Sequence, residues 1–133
     1  MGSCADKFCV AIVDDDESFR RSLARMLRAA GYQLETYPSA EEFLADPSHA
    51  RFSCLLVDVK LGGMTGPEMQ GELASEGSRT PIIFITAYED PVVRATAFKA
   101  GCHAFFQKTD DGARLLESLN VVRVACDAAA PPG

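Results

Sequence analysis

Short apolar runs alternate along the chain with stretches whose apolar positions recur every three or four residues, the periods of strands and helices respectively. The first run, Phe8 to Val13, leads into the acidic cluster Asp14-Asp15-Asp16-Glu17 and then into apolar residues at Phe19, Leu23, Met26, Leu27 and Ala30. That spacing puts one apolar face on a helix, and Gly31 stands where a left-handed cap would end it. Gln33 to Tyr37 predicts a second strand, and Ser39-Ala40-Glu41-Glu42, an S-x-x-E pattern, opens a short helix that ends before Pro47. Arg51 to Val57 predicts a third strand whose Cys-Leu-Leu-Val stretch is apolar on both faces. Gly62, Gly63 and Gly66 break the chain, Pro67 suits the first turn of a helix to about Ser75, and Pro81 to Ile85 predicts a fourth strand. Asp90-Pro91 starts a helix that runs to Ala100 and is stopped by Gly101, and Ala104 to Gln107 predicts a fifth strand. Asp110 is expected to cap a last helix in which Leu115, Leu119 and Val122 share a face. Five strands alternating with five helices, the strands mostly buried runs although Gln33 to Tyr37 alternates, imply a parallel sheet covered on both sides. The expected fold is α/β: a single-domain, open doubly wound (βα)5 three-layer sandwich with strand order 2-1-3-4-5.

Composition narrows the function. The 133 residues suffice for one core, with residues 7 to 124 expected as the domain, 1–6 as an N-terminal tail or tag remnant, and 125–133 as a C-terminal tail or linker. Thirteen basic against nineteen acidic residues give a net charge of −6, which disfavours direct binding to nucleic acid or anionic membranes. Five cysteines form no C-x-x-C pair, and Cys9 and Cys54 sit in apolar runs, which suits a reducing compartment. With no signal-like or membrane-spanning stretch, the chain reads as cytoplasmic.

In an open parallel sheet, ligands bind where the strands end at their C-terminal edge. Asp14 and Asp15 end the first strand, Asp58 the third, Thr86 the fourth, and Lys108 follows the fifth. Carboxylates gathered on one rim repel one another unless a cation sits among them, and a hard oxygen donor set suits Mg2+. The turn after the first strand is acidic rather than rich in glycine, so direct phosphate or dinucleotide binding there is disfavoured. There is no G-x-x-x-x-G-K-[ST] loop and no G-x-S-x-G elbow, and Lys60 occupies the position where a haloacid-dehalogenase-like phosphatase needs a second aspartate. What remains is a carboxylate, Asp58, that can itself become phosphorylated.

Taken in order, Ala11-Ile12-Val13-Asp14-Asp15-Asp16, Leu55-Leu56-Val57-Asp58, Ile82-Ile83-Phe84-Ile85-Thr86-Ala87 and Ala104-Phe105-Phe106-Gln107-Lys108 resemble the receiver domains of two-component response regulators, over essentially residues 7 to 124. The stretches Gly63-Met64-Thr65-Gly66 and Lys99-Ala100-Gly101 are similar to FixJ-like receivers, which usually precede a DNA-binding output domain. The resemblance implies a flavodoxin-like fold and a phosphoacceptor at Asp58, with Mg2+, or Mn2+ in its place, on Asp14, Asp15, Asp58 and the Lys60 carbonyl. It further implies phosphoryl contacts from Thr86, Ala87 and Lys108, with Phe105 as an aromatic that turns inward. The implied donor is a histidine kinase or histidine phosphotransfer protein. The face of the fourth helix, fifth strand and fifth helix is the implied signalling surface and a candidate homodimer contact. The role is regulatory rather than enzymatic, and a pseudo-receiver that binds partners without phosphorylation is the alternative.

Three departures from the family bear on the site, one of them the pair Lys60 and Tyr88, which flank it and bear on how readily water reaches an acyl phosphate. Thr109 stands where a proline in a cis peptide is usual, and a cis bond before a non-proline residue costs about 3–4 kcal/mol. Gly62 replaces a common proline and loosens the loop after Asp58. Of the adjacent Phe105 and Phe106, Phe106 is expected as ordinary core; His49 and His103 are expected as surface residues.

Overall fold

A computed structural model describes residues 8–129. Strands β1 (Cys9–Val13), β2 (Gln33–Tyr37), β3 (Cys54–Asp58), β4 (Ile82–Thr86) and β5 (Ala104–Gln107) alternate with helices α1 (Glu17–Ala29), α2 (Ala40–Ala45), α3 (Gly66–Ser75), α4 (Pro91–Lys99) and α5 (Gly112–Ala129). The sheet is parallel with order β2-β1-β3-β4-β5, as expected.

Successive side chains of a strand point to opposite faces, and here both faces are apolar. Cys9, Ala11, Val13, Leu55, Val57, Ile82, Phe84 and Phe105 join Phe43 of α2, Met69 and Leu73 of α3 and Ala97 of α4 in one buried cluster. Val10, Ile12, Cys54, Leu56, Ile83 and Ile85 join Leu23 and Leu27 of α1 and Leu115, Leu119 and Val122 of α5 in the other. Two cores separated by the sheet explain why β1, β3 and β4 are apolar without interruption.

The helix starts carry the expected caps at Ser39 and Asp90, whose side chains accept from the backbone N–H of Glu42 and of Val92. Thr65 adds a reciprocal capping box with Glu68 at the start of α3. Gly31 and Gly101 both have positive φ (92° and 101°), which is what the ends of α1 and α4 require.

Several local expectations are corrected. Asp111, not Asp110, caps α5: its carboxylate accepts from Ala113 N–H at 3.0 Å, while that of Asp110 is taken by Gln107 N–H at 2.8 Å. Helix α5 continues to Ala129, well into the stretch expected as tail; residues 1–7 and 130–133 lie outside the described part. Arg51 belongs to a short 3-10 turn (His49–Arg51) rather than to β3, because its guanidinium is drawn to Asp46 (3.1 Å) and the Ser48 carbonyl (2.8 Å). His49 is half-buried against Phe43, with Nε2 2.8 Å from Glu76 and Nδ1 2.9 Å from the Asp46 carbonyl; the Glu76 contact holds the imidazole above its usual pKa. His103 is exposed, as expected.

Phe105, not Phe106, is the buried member of its pair. It packs on Phe84 beneath α4, whereas Phe106 faces a cleft between α1 and α5 lined by Phe19, Met26 and Leu115 and is only half-buried. Because β5 is an edge strand, burial there depends on which helix lies over each face.

Candidate functional site

Four of the five strands, all but β2, deliver a polar residue to the same rim, and the ladder fixes how far each one reaches. Asp14 N–H donates to the Tyr37 carbonyl at 3.1 Å and so extends the β1–β2 pairing by one residue. Its side chain is buried, whereas the neighbouring Asp15 is exposed. The Asp14 carbonyl accepts from the Arg20 guanidinium at 2.7 Å, and its Oδ1 accepts from Asp16 N–H at 2.9 Å, which ties the start of α1 back to the rim. Asp58 closes β3, 6% exposed, with Oδ1 accepting from Lys60 N–H at 3.2 Å. One carboxylate oxygen each from Asp14, Asp15 and Asp58 lie within 4.8 Å of one another.

Lys108 enters this cluster from the edge strand. Its N–H donates to the Thr86 carbonyl at 2.7 Å, its Nζ lies 3.0 Å from Asp14 Oδ2 and 3.2 Å from Asp58 Oδ2, and the ammonium sits 4.4 Å from the centre of the Phe19 ring. No peptide bond among the described residues is cis, Lys108–Thr109 included.

Burial first, and the Asp14 charge second, push the Asp58 carboxyl up to about 6, although Lys108 pulls the other way. Burial alone would lower the Lys108 ammonium, but Asp14 and Asp58 outweigh it and hold the pKa above its ordinary value. Three carboxylates against one ammonium leave excess negative charge on hard oxygen donors, a set that fits a divalent cation such as Mg2+.

The remaining expected residues surround this centre at different depths. Thr86 is buried at the end of β4, its hydroxyl donating to the Tyr88 carbonyl at 3.0 Å and accepting from Tyr88 N–H at 3.3 Å, so it is engaged within its own loop. Ala87 follows and is exposed. Lys60 is exposed, with its ammonium 5.8 Å from the centre of the Tyr88 ring. Phe105 lies in the core beneath the rim rather than among the carboxylates; Arg94 of α4 stacks on its ring at 5.4 Å and donates to its carbonyl at 3.3 Å.

Sequence reasoning missed two supporting residues. Gly66 packs directly against the Asp58 backbone, and Glu41 of α2 accepts a hydrogen bond from Met64 N–H at 2.7 Å. Neither carries a one-dimensional signal, since both contacts join segments that only the fold brings together. The Thr65-Gly66-Pro67-Glu68 pattern, by contrast, could have been read as a capping box.

Comparison with known proteins agrees with this geometry. The sequence model of the response regulator receiver domain matches residues 10–120. Nodulation protein W of Bradyrhizobium diazoefficiens is 37% identical over 113 residues, which is 85% of this chain and 50% of that protein. The transcriptional regulatory protein FixJ of Rhizobium meliloti is 34% identical over 112 residues, 84% of this chain and 55% of that protein. The chain thus spans about half the length of these relatives. The crystal structure of FixJ-N superposes with a TM-score of 0.82 at 30% identity, covering 95% of this chain and 98% of that one. The strand order, the rim and these matches agree: the chain belongs to the response-regulator receiver domain family.

Proposed function

We propose that Asp58 accepts a phosphoryl group from a histidine kinase or histidine phosphotransfer protein, and that the adduct changes the face formed by α4, β5 and α5. The observation that carries this reading is the Lys108 ammonium placed between Asp14 and Asp58, with Asp15 completing an oxygen cluster around the acceptor. Asp14, Asp15, Asp58 and the Lys60 carbonyl would hold Mg2+, or Mn2+ in its place. When bound, the ion offsets charge on the phosphoryl oxygens.

An Asp58 carboxylate oxygen attacks phosphorus; an O–P bond forms, the P–N bond to the donor imidazole breaks, and the imidazole departs with the bonding pair. Lys108 balances charge on the incoming group. The Thr86 hydroxyl exchanges the Tyr88 carbonyl for a phosphoryl oxygen, Ala87 offers its backbone N–H, and Arg94 transmits the rearrangement from β5 to α4 through Phe105. The two helices of this face carry exposed apolar side chains, Val92 and Phe98 on α4 and Val121 and Val124 on α5, and Phe98 stands beside Arg94, Phe105 and Arg114, which suits a partner or a second copy.

The relatives bear names of transcriptional regulators and are about twice as long, and this chain supplies the receiver function that such regulators use, in the cytoplasm and without touching nucleic acid itself. The charge of −6 supports the last point, and among the described residues no helix is long and apolar enough to cross a membrane.

Incubation with Mg2+ and acetyl phosphate is expected to add one phosphoryl group by intact mass, and none when the metal is chelated. An unmodified chain under both conditions would favour the pseudo-receiver that binds constitutively.

Metal uptake should also depend on pH in a defined direction. An ion on Asp58 needs the carboxylate ionised, and with that group near 6 the apparent Mg2+ affinity is expected to be level above about pH 7 and to fall by roughly tenfold per pH unit below 6. Calorimetry in two buffers of different ionisation enthalpy would show proton release on binding at pH 5.5 and none at pH 8. Affinity independent of pH over this range would mean that Asp58 is either outside the ligand set or not raised to about 6.

A further inference from the structure

The loop between β3 and α3 is anchored firmly at both ends. Val59 N–H donates to the Ile85 carbonyl at 3.2 Å, Gly66 N–H donates to the Val59 carbonyl at 2.9 Å, and the Thr65–Glu68 box fixes the start of α3. Between these anchors lie Gly62 and Gly63, adjacent residues with the largest conformational entropy to lose on ordering. An additional tether there therefore has much to hold.

Glu41 supplies one. Its helix is fixed by the Ser39 cap and by the buried Ala40 and Phe43, and its carboxylate Oε2 accepts Met64 N–H at 2.7 Å. That bond draws the carboxyl below its ordinary pKa. Close approach depends on glycine, since a Cβ at position 63 would lie 2.5 Å from Glu41 Oε2. One residue earlier, a Cβ at position 62 would lie 3.8 Å from Asp15 Oδ2, so the same loop passes beside the acidic cluster.

We propose that Glu41 is a positioning residue for the divalent cation: by accepting Met64 N–H it holds the Gly62–Gly63 segment beside Asp15 and presets the loop that carries the Lys60 carbonyl. This inference rests on the cation reading above and names a residue outside the rim that acts on it. It requires an accepting oxygen at position 41 rather than a charge, and it couples position 41 to position 63.

The test measures Mg2+ affinity by calorimetry, Met64 amide exchange by NMR and thermal unfolding for the parent chain and four variants. Glu41→Ala is expected to weaken Mg2+ binding about three- to tenfold and to speed Met64 exchange, with little change in unfolding temperature because the contact is exposed. Glu41→Gln, which keeps an accepting oxygen, is expected to stay within about twofold of the parent. Gly63→Ala should reproduce the Glu41→Ala loss by displacing the carboxylate, and the double variant should lose no more than either single one. Parental affinity in Glu41→Ala, a Glu41→Gln variant as weak as Glu41→Ala, or additive losses in the double variant would each overturn the role of Glu41 and leave the cation site standing. No Mg2+ uptake by the parent chain would instead overturn the cation reading, and this inference with it.

Discussion

The Asp58→Asn variant is expected to accept no phosphoryl group and yet to unfold at a higher temperature than the parent chain. The first effect follows from replacing a nucleophilic carboxylate with an amide. The second follows from the electrostatics of the rim. Burial and Asp14 raise the folded-state pKa of Asp58 to about 6 from its ordinary 3.8, so the native state holds the proton more tightly than the unfolded chain. Above pH 6 both states are ionised, and the fold bears the full cost of a buried carboxylate beside another. As pH falls through 6 toward 3.8 that cost disappears. A shift of this size, with the opposing pull of Lys108 already included, corresponds to at most about 3 kcal/mol, and burying the asparagine amide in its place returns part of it. The net gain is about 1–3 kcal/mol at pH 8, several degrees in melting temperature, shrinking below pH 6. Added Mg2+ should narrow the gap, since the parent binds it better than the variant. A variant that melts below the parent at pH 8 without metal would show that Asp58 is not strained by its surroundings.

Two glycines of the same helix should respond to alanine with opposite signs. A Cβ at position 66 would lie 2.6 Å from the Asp58 carbonyl oxygen, 2.8 Å from Phe84 Cε1 and 3.2 Å from Val59 Cα. Two of these are backbone atoms of the segment that carries Asp58, and the third belongs to a fully buried ring, so none can yield without moving the core. Gly66→Ala is expected to cost about 1–3 kcal/mol, read as a lower urea midpoint, and to slow phosphorylation more than the lost stability explains. Gly71 lies mid-helix with nothing within 4 Å of its would-be Cβ, so Gly71→Ala should stabilise by about 0.5–1 kcal/mol through helix propensity alone. Equal effects at the two positions would mean that α3 does not press on the end of β3.

The sheet and the rim were readable from the sequence for one reason. Strands buried on both faces must be apolar throughout, so the first polar residue after each run marks where the strand reaches the rim. Asp14, Asp58 and Thr86 were found at those boundaries and Lys108 one residue past Gln107 at the fifth, and the structure brings Asp14, Asp15, Asp58 and Lys108 together. The parts that escaped depend on what lies across a gap. Phe105 and Phe106 differ only in whether α4 or the open cleft beside α5 covers them. Asp110 and Asp111 are equally good caps until Gln107 N–H claims one of them. Arg51 reads as part of a strand until Asp46 draws it into a turn, and His49 reads as surface until Glu76 arrives from the end of α3. Local pattern determines which residues face inward and where elements break; partner choice among neighbours is decided by the assembled fold.

Lys108 gives the rim a resident counter-ion. An ammonium tethered to the backbone partly compensates Asp14 and Asp58 at all times, and in doing so it pins the outermost strand to the middle of the sheet. That link between β5 and the centre of the sheet is made by the chain's own groups and requires no divalent cation. If the rim takes up a cation as proposed, changes in its free concentration are expected to act on the reactivity of Asp58 and not on this link.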